Sequence, residues 1–154
     1  MFDQILPRQV DNSYRGHRLA LWLFGVLVFM KTSIGLGTIF NGRHAAVSAD
    51  GIPFNTFGTA GAQAFLSIFA AWGLAQATLG ILCIVVLVRY RALLPFMYAL
   101  LLLEHLCRKL IFTVMPIERT DDAPGYVINL ALVGLMIVGF MLSLRNRDRR
   151  PTPN

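Results

Sequence analysis

The chain has 154 residues, of which 56% are hydrophobic and only 14% charged, with a formal net charge of +6. Soluble domains sit near about 45–50% apolar and about 25% charged residues, so the composition points to one small unit in a lipid bilayer rather than in water. Nucleic acid is excluded as a partner, because the basic residues follow no single stripe and no binding motif accompanies them.

A polar lead, residues 1–18, precedes the first apolar run. That run is too long for the core of a secretory signal, and no small-residue cleavage site follows it. Four apolar segments come next, at 19–40, 65–88, 92–113 and 126–144. Each is near the roughly 20 residues that cross a bilayer as a helix. The expected fold is therefore all-α, a four-span membrane bundle over 19–144.

The first span opens LALWLFGVLVFM. The connection after it, 41–64, carries the turn signals Asp50-Gly51 and Pro53. Phe54 and Phe57 follow as interface aromatics, and a short re-entrant or surface piece is expected there. Only an Arg-Tyr-Arg turn separates the second and third spans, so those two must be antiparallel neighbours. Pro95 falls in the first turn of the third span, where proline is tolerated. Pro124-Gly125 breaks the chain before the fourth. The tail, 145–154, is charged, proline-bearing and expected to be disordered.

Basic residues set the threading. Arg8, Arg15, Arg18, Arg89, Arg91, Arg145, Arg147, Arg149 and Arg150 fall on one side of the four spans, against Arg43 and Arg119 on the other. The basic side is cytoplasmic by the positive-inside rule, which puts both termini in the cytoplasm of a bacterial-type inner membrane.

Lys31, Glu104, Arg108 and Lys109 lie inside the spans and need another explanation. In the third span Glu104, Arg108 and Lys109 would cost roughly 9 kcal/mol at the bilayer centre, and its Leu, Ile and Phe residues would offset only about 5–6. The segment needs partners, or an outer end near enough to the interface for Arg108 and Lys109 to snorkel. At about 100° per residue, Glu104, Arg108, His105 and Lys109 fall at roughly 0°, 40°, 100° and 140°. They form one polar wedge, which should face the bundle interior. Glu104 and Arg108 are an i,i+4 pair in the favoured order.

At about 1.5 Å per residue, Lys31, Gln76 and Glu104 all lie roughly 18 Å from the cytoplasmic boundary. Asn129 of the fourth span comes slightly further out, near Arg108. Gly73, Ala77 and Gly80 surround Gln76 on one face, and Lys31 shares a face with Gly35 and Thr38. Small residues mark a packed helix face, so both polar groups should point inward.

Two functional readings follow. In one, Lys31, Gln76, Glu104, His105, Arg108 and Asn129 line a polar chamber, open toward the outside, that binds a proton, an ion or a small polar molecule. Glu104 would be the acceptor, Lys31 and Arg108 would hold its charge, and Gln76 and Asn129 would supply neutral hydrogen bonds. In the other, Lys31 and Glu104 are a structural salt bridge that fixes helix register. No cofactor is expected from the residues. Haem would need an axial pair, and His105 lies in a span whereas His17 and His44 lie in loops. A metal would need a third ligand beside Glu104 and His105. Cys83 and Cys107 differ by roughly 15 Å in depth, too far for a disulfide. A non-enzymatic protein is expected, with the lipid bilayer and other membrane subunits as partners.

Four spans, a longer first outer connection with the turn Gly51-Ile52-Pro53, and glycine-bearing second and fourth spans together resemble the DoxX-like group of small bacterial membrane proteins, over about 19–144. That resemblance implies a possible quinone-linked oxidoreductase subunit. The group's basic residue follows a glycine late in the first helix. Lys31 comes earlier, after Phe29-Met30, so no family site maps onto this chain.

Overall fold

A computed structural model describes residues 5–7, 9–119 and 124–145. The expected disorder of the tail concerns residues that, but for Arg145, lie outside this set. Four long helices make up the described chain: α1 (Arg18–Phe40), α2 (Thr59–Arg89), α3 (Leu94–Val114) and α4 (Gly125–Leu144). No strand occurs among the described residues. α1, α2 and α4 are each long and apolar enough to cross a membrane. α3 has the length, at 21 residues, but carries Glu104, Arg108 and Lys109.

Local chemistry explains the helix ends. The His17 imidazole caps α1, its Nδ1 accepting from the Leu19 amide at 3.2 Å. α2 begins at Thr59, six residues before the expected 65, because Ala60, Ala62 and Ala64 are strong helix formers and the chain is still extended at Gly58 (φ −66°, ψ 157°). At 31 residues it is about 46 Å long, more than a roughly 30 Å hydrocarbon core requires. Of the Arg-Tyr-Arg turn, Arg89 ends α2 and Tyr90 caps it, and Arg91 opens a single 3-10 turn, Arg91–Leu93, so α3 starts at Leu94 rather than 92. α3 stops at Met115 (φ −122°, ψ 76°), the residue before Pro116, where proline's ring disfavours helix.

The connection between α1 and α2 is short pieces rather than open loop. A helical turn at Gly42–His44 runs into a π-helix, Ala45–Ala49, and a 3-10 turn follows at Phe54–Thr56. Gly51 takes φ 68°, the left-handed conformation that glycine adopts without a Cβ penalty. Gly125, at the start of α4, packs on the Ala49 carbonyl. At the opposite end of the bundle, the His17 amide donates to Leu142 O and the Ala92 amide to Asp11 O. The lead, the α2–α3 turn and the end of α4 therefore gather at one end, as an up-down-up-down path requires.

Packing is uneven around the bundle. α2 packs chiefly on α1, α1 also on α4, and α3 on α4, whereas α2 and α3 approach each other much less. The α1–α2 seam is the closest. A Cβ added to Gly35 would lie 2.7 Å from the Ala77 nitrogen and 2.9 Å from Gly73 O, both backbone atoms. The apolar core sits nearer the other end, around Phe24, Leu27, Met97, Tyr98, Leu101 and Met136. Phe24 and Tyr98 meet edge to face at 5.0 Å, and the fully buried Tyr98 hydroxyl donates to Ala20 O at 2.8 Å.

The outside is as apolar as the core. Trp22, Phe29, Phe40, Ile68, Leu110, Val127 and Met141 are all exposed, while Lys31, Gln76 and His105 are buried. An exterior of this kind suits hydrocarbon and would aggregate in water.

Gly35→Ala should cost about 1–3 kcal/mol, because backbone rather than a movable side chain blocks the added methyl. Gly37→Ala, whose added Cβ meets nothing within 4 Å, should lose nothing. Reversible unfolding of the two variants in mixed micelles checks the contrast.

Candidate functional site

Three helices bring one charged or amide side chain each to a single point. α1 supplies Lys31, whose Nζ donates to Gln76 Oε1 of α2 at 2.7 Å and to Glu104 Oε2 of α3 at 2.6 Å. The Gln76 amide nitrogen closes the triangle, donating to Glu104 Oε1 at 3.0 Å. Gln76 thus accepts from the cation and donates to the anion. Both ends of the amide are used, and both carboxylate oxygens have a donor. The Lys31 and Gln76 residues are each 5% exposed, while the Glu104 side chain keeps 24% of its surface.

The wedge continues up α3. Arg108 Nη1 stands 3.9 Å from Glu104 Oε1, the outer limit of an ion pair. Its Nη2 lies 2.8 Å from Nδ1 of the buried His105. A guanidinium has no acceptor, so His105 Nδ1 must be the accepting atom, and the imidazole is neutral with its proton on Nε2. The Arg108 guanidinium also lies over the Trp72 ring, 5.3 Å from its centroid. Lys109, the fourth member of the wedge, is exposed.

Asn129 does not join this cluster. Its amide nitrogen donates to Gly125 O at 2.8 Å, four residues back on its own helix. A short polar side chain in a helix commonly satisfies itself against a nearby carbonyl. The expected layer therefore contains side chains from α1, α2 and α3 but not from α4.

An aromatic row that the charge and hydropathy pattern does not mark out leads to the site. Phe54 packs on Phe65 with centroids 5.4 Å apart, Phe65 on Phe69 at 5.5 Å, and Phe69 on Trp72 at 5.5 Å. Phe57 also joins, 5.9 Å from Phe65. Arg43 lies over Phe54 at one end, at 5.9 Å, and Arg108 over Trp72 at the other. The signal was present: positions 65, 69, 72 and 76 share one helical face, so the row on α2 ends at Gln76.

Beside Lys31, Thr32 Oγ1 is buried without a hydrogen-bond partner among the described residues, facing Gly80. Cys83 is buried and Cys107 exposed, both free thiols. Among the described residues no three His, Cys, Asp or Glu gather to hold a metal ion. No family model, curated protein or solved structure matches the chain.

Gln76→Leu should cost about 1–3 kcal/mol, since it strips a donor from the carboxylate and an acceptor from the ammonium. Asn129→Leu, outside the triad, should change stability by less than about 0.5 kcal/mol. Equal losses in unfolding experiments would return Asn129 to the site.

Proposed function

We propose that the chain is a four-span protein of a bacterial inner membrane, with both termini cytoplasmic, whose Lys31–Gln76–Glu104 cluster is an intramembrane site for a proton or a small polar ion reached from the outside. The supporting observation is the carboxylate of Glu104. It accepts hydrogen bonds from Lys31 and Gln76, with the Arg108 guanidinium 3.9 Å away as a longer ion pair, yet keeps 24% of its side-chain surface. Ionisable residues within membrane spans are costly and mark ion or proton sites by default.

α3 completes the four spans in this reading. Its charges are no longer a barrier once Glu104 pairs with Lys31 and Arg108 reaches outward along Trp72. The described basic residues keep their asymmetry: Arg15, Arg18, Arg89, Arg91 and Arg145 belong to the end where the lead meets the end of α4, and Arg43 and Arg119 to the other. That end is cytoplasmic by the positive-inside rule. A DoxX-like membership is part of the proposal and rests on this layout and the Gly51-Ile52-Pro53 turn. The quinone-linked role the resemblance implies is dropped if purified protein carries no extractable quinone.

A second reading has its own support. Every polar atom of the triad already has a partner within the protein, which is what a purely structural staple requires. Cysteine accessibility separates the two in a background lacking Cys83 and Cys107. Glu104→Cys should react from the outside with the water-borne anion sulfonatoethyl methanethiosulfonate. Leu103→Cys, 58% exposed on the neighbouring apolar face, should stay inert in lipid, where the thiolate does not form. If position 104 is as inert as 103, the site has no aqueous access and the staple reading stands.

A further inference from the structure

The end of the bundle opposite the aromatic row holds a groove of about 410 Å³, lined by Asn12, Tyr14, Arg15, Gly16, Arg18, Leu21 and Arg91. Three arginines therefore line one concavity with no acidic residue in its described lining. They come from three places in the chain: the lead, the first residue of α1, and the turn between α2 and α3. Nothing in the Lys31–Glu104 site requires them there.

The groove is held in shape rather than left to chance. Arg91 Nε donates to Leu87 O at 2.9 Å, which holds that guanidinium at the wall. The Ala92 amide donates to Asp11 O at 3.3 Å, tying the lead across the turn. The Tyr14 hydroxyl donates to His17 O at 3.3 Å. Burial pushes the Tyr14 phenol up, so it remains a neutral hydroxyl. Asp11 is the nearby acid. Hydrogen bonds from the Ser13 hydroxyl at 2.6 Å and amide at 3.0 Å engage one of its oxygens and, with a smaller contribution from the Arg15 charge, hold its carboxyl below the usual range.

Three cationic side chains in one groove favour an anion there, and a guanidinium's forked donors match the oxygens of phosphate, whose charge also offsets more than one cation. The neighbouring surface is apolar, with Leu19 and Trp22 exposed in the first turns of α1, so a ligand with an acyl tail would find hydrocarbon beside the groove. We propose that this groove binds a phosphate group, borne either by the headgroup of an acidic phospholipid or by a soluble phosphoester. The lipid source rests on the four-span reading; the soluble source does not.

The test uses the full chain in nanodiscs. In one arm, native mass spectrometry compares retention of phosphatidylglycerol with phosphatidylcholine. In the other, inorganic phosphate is titrated against protein in phosphatidylcholine alone. Binding is expected in at least one arm, and Arg91→Gln should weaken it about tenfold, the loss of one charge-assisted hydrogen bond. Arg15→Gln, at an exposed position in the lead, should weaken it similarly and guards against an Arg91 variant that does not fold. Arg89→Gln is the control, since Arg89 is exposed at the same end but outside the groove. Binding in the phosphate arm alone supports the site with a soluble ligand even if the four-span reading fails. No binding in either arm overturns the proposal, as does an equal loss with Arg89→Gln, which would reduce the effect to general surface charge.

Discussion

One ion pair sets the terms for the rest of the molecule. Lys31 is 5% exposed in a chain whose outside is hydrocarbon-like, and a lone ammonium there would cost several kcal/mol. The carboxylate of Glu104 offsets that cost only if α1 and α3 hold a fixed depth relative to each other. Gln76 extends the constraint to α2, because its amide must face both charges at once. Register among three helices thus follows from the geometry of one Lys, one Gln and one Glu.

Glycine makes the arrangement possible. The backbones of α1 and α2 meet at Gly35 and Gly73 with no space for a methyl group. Gly35 lies one turn beyond Lys31 and Gly73 about one turn before Gln76 along their helices, so the closest backbone approach sits beside the hydrogen bonds. Hydrophobic burial cannot drive helix association between lipid-facing surfaces, since lipid is as apolar as leucine. Close van der Waals packing and interhelical hydrogen bonds do so instead. The apolar core around Phe24 and Tyr98 then locks the basic end, with the Tyr98 hydroxyl as a further link between α3 and α1.

The triad was legible in the sequence because the bilayer imposes a coordinate. Counting residues from a span boundary gives depth, and depth brought Lys31, Gln76 and Glu104 to one level. The small residues around Gln76 and Lys31 gave direction. Asn129 passed the depth test but lacked the second one: depth does not say whether a short amide turns outward to a partner or back to its own carbonyl. α2 starts before the expected 65 because a hydropathy pattern ends where apolar residues end, whereas a helix continues through alanine. The His17 cap was missed because histidine is an uncommon N-cap, and the basic groove because its arginines come from segments with no shared periodicity.

A double-mutant cycle on Lys31 and Glu104 tests the account most directly. Lys31→Met, Glu104→Gln and the pair together would be unfolded reversibly in mixed micelles. Each single change orphans a buried or half-buried partner, so the double variant should lose less than the two single losses combined, by about 1–3 kcal/mol. Losses that simply add would mean the two side chains do not depend on each other, and the arrangement of α1, α2 and α3 would need another cause.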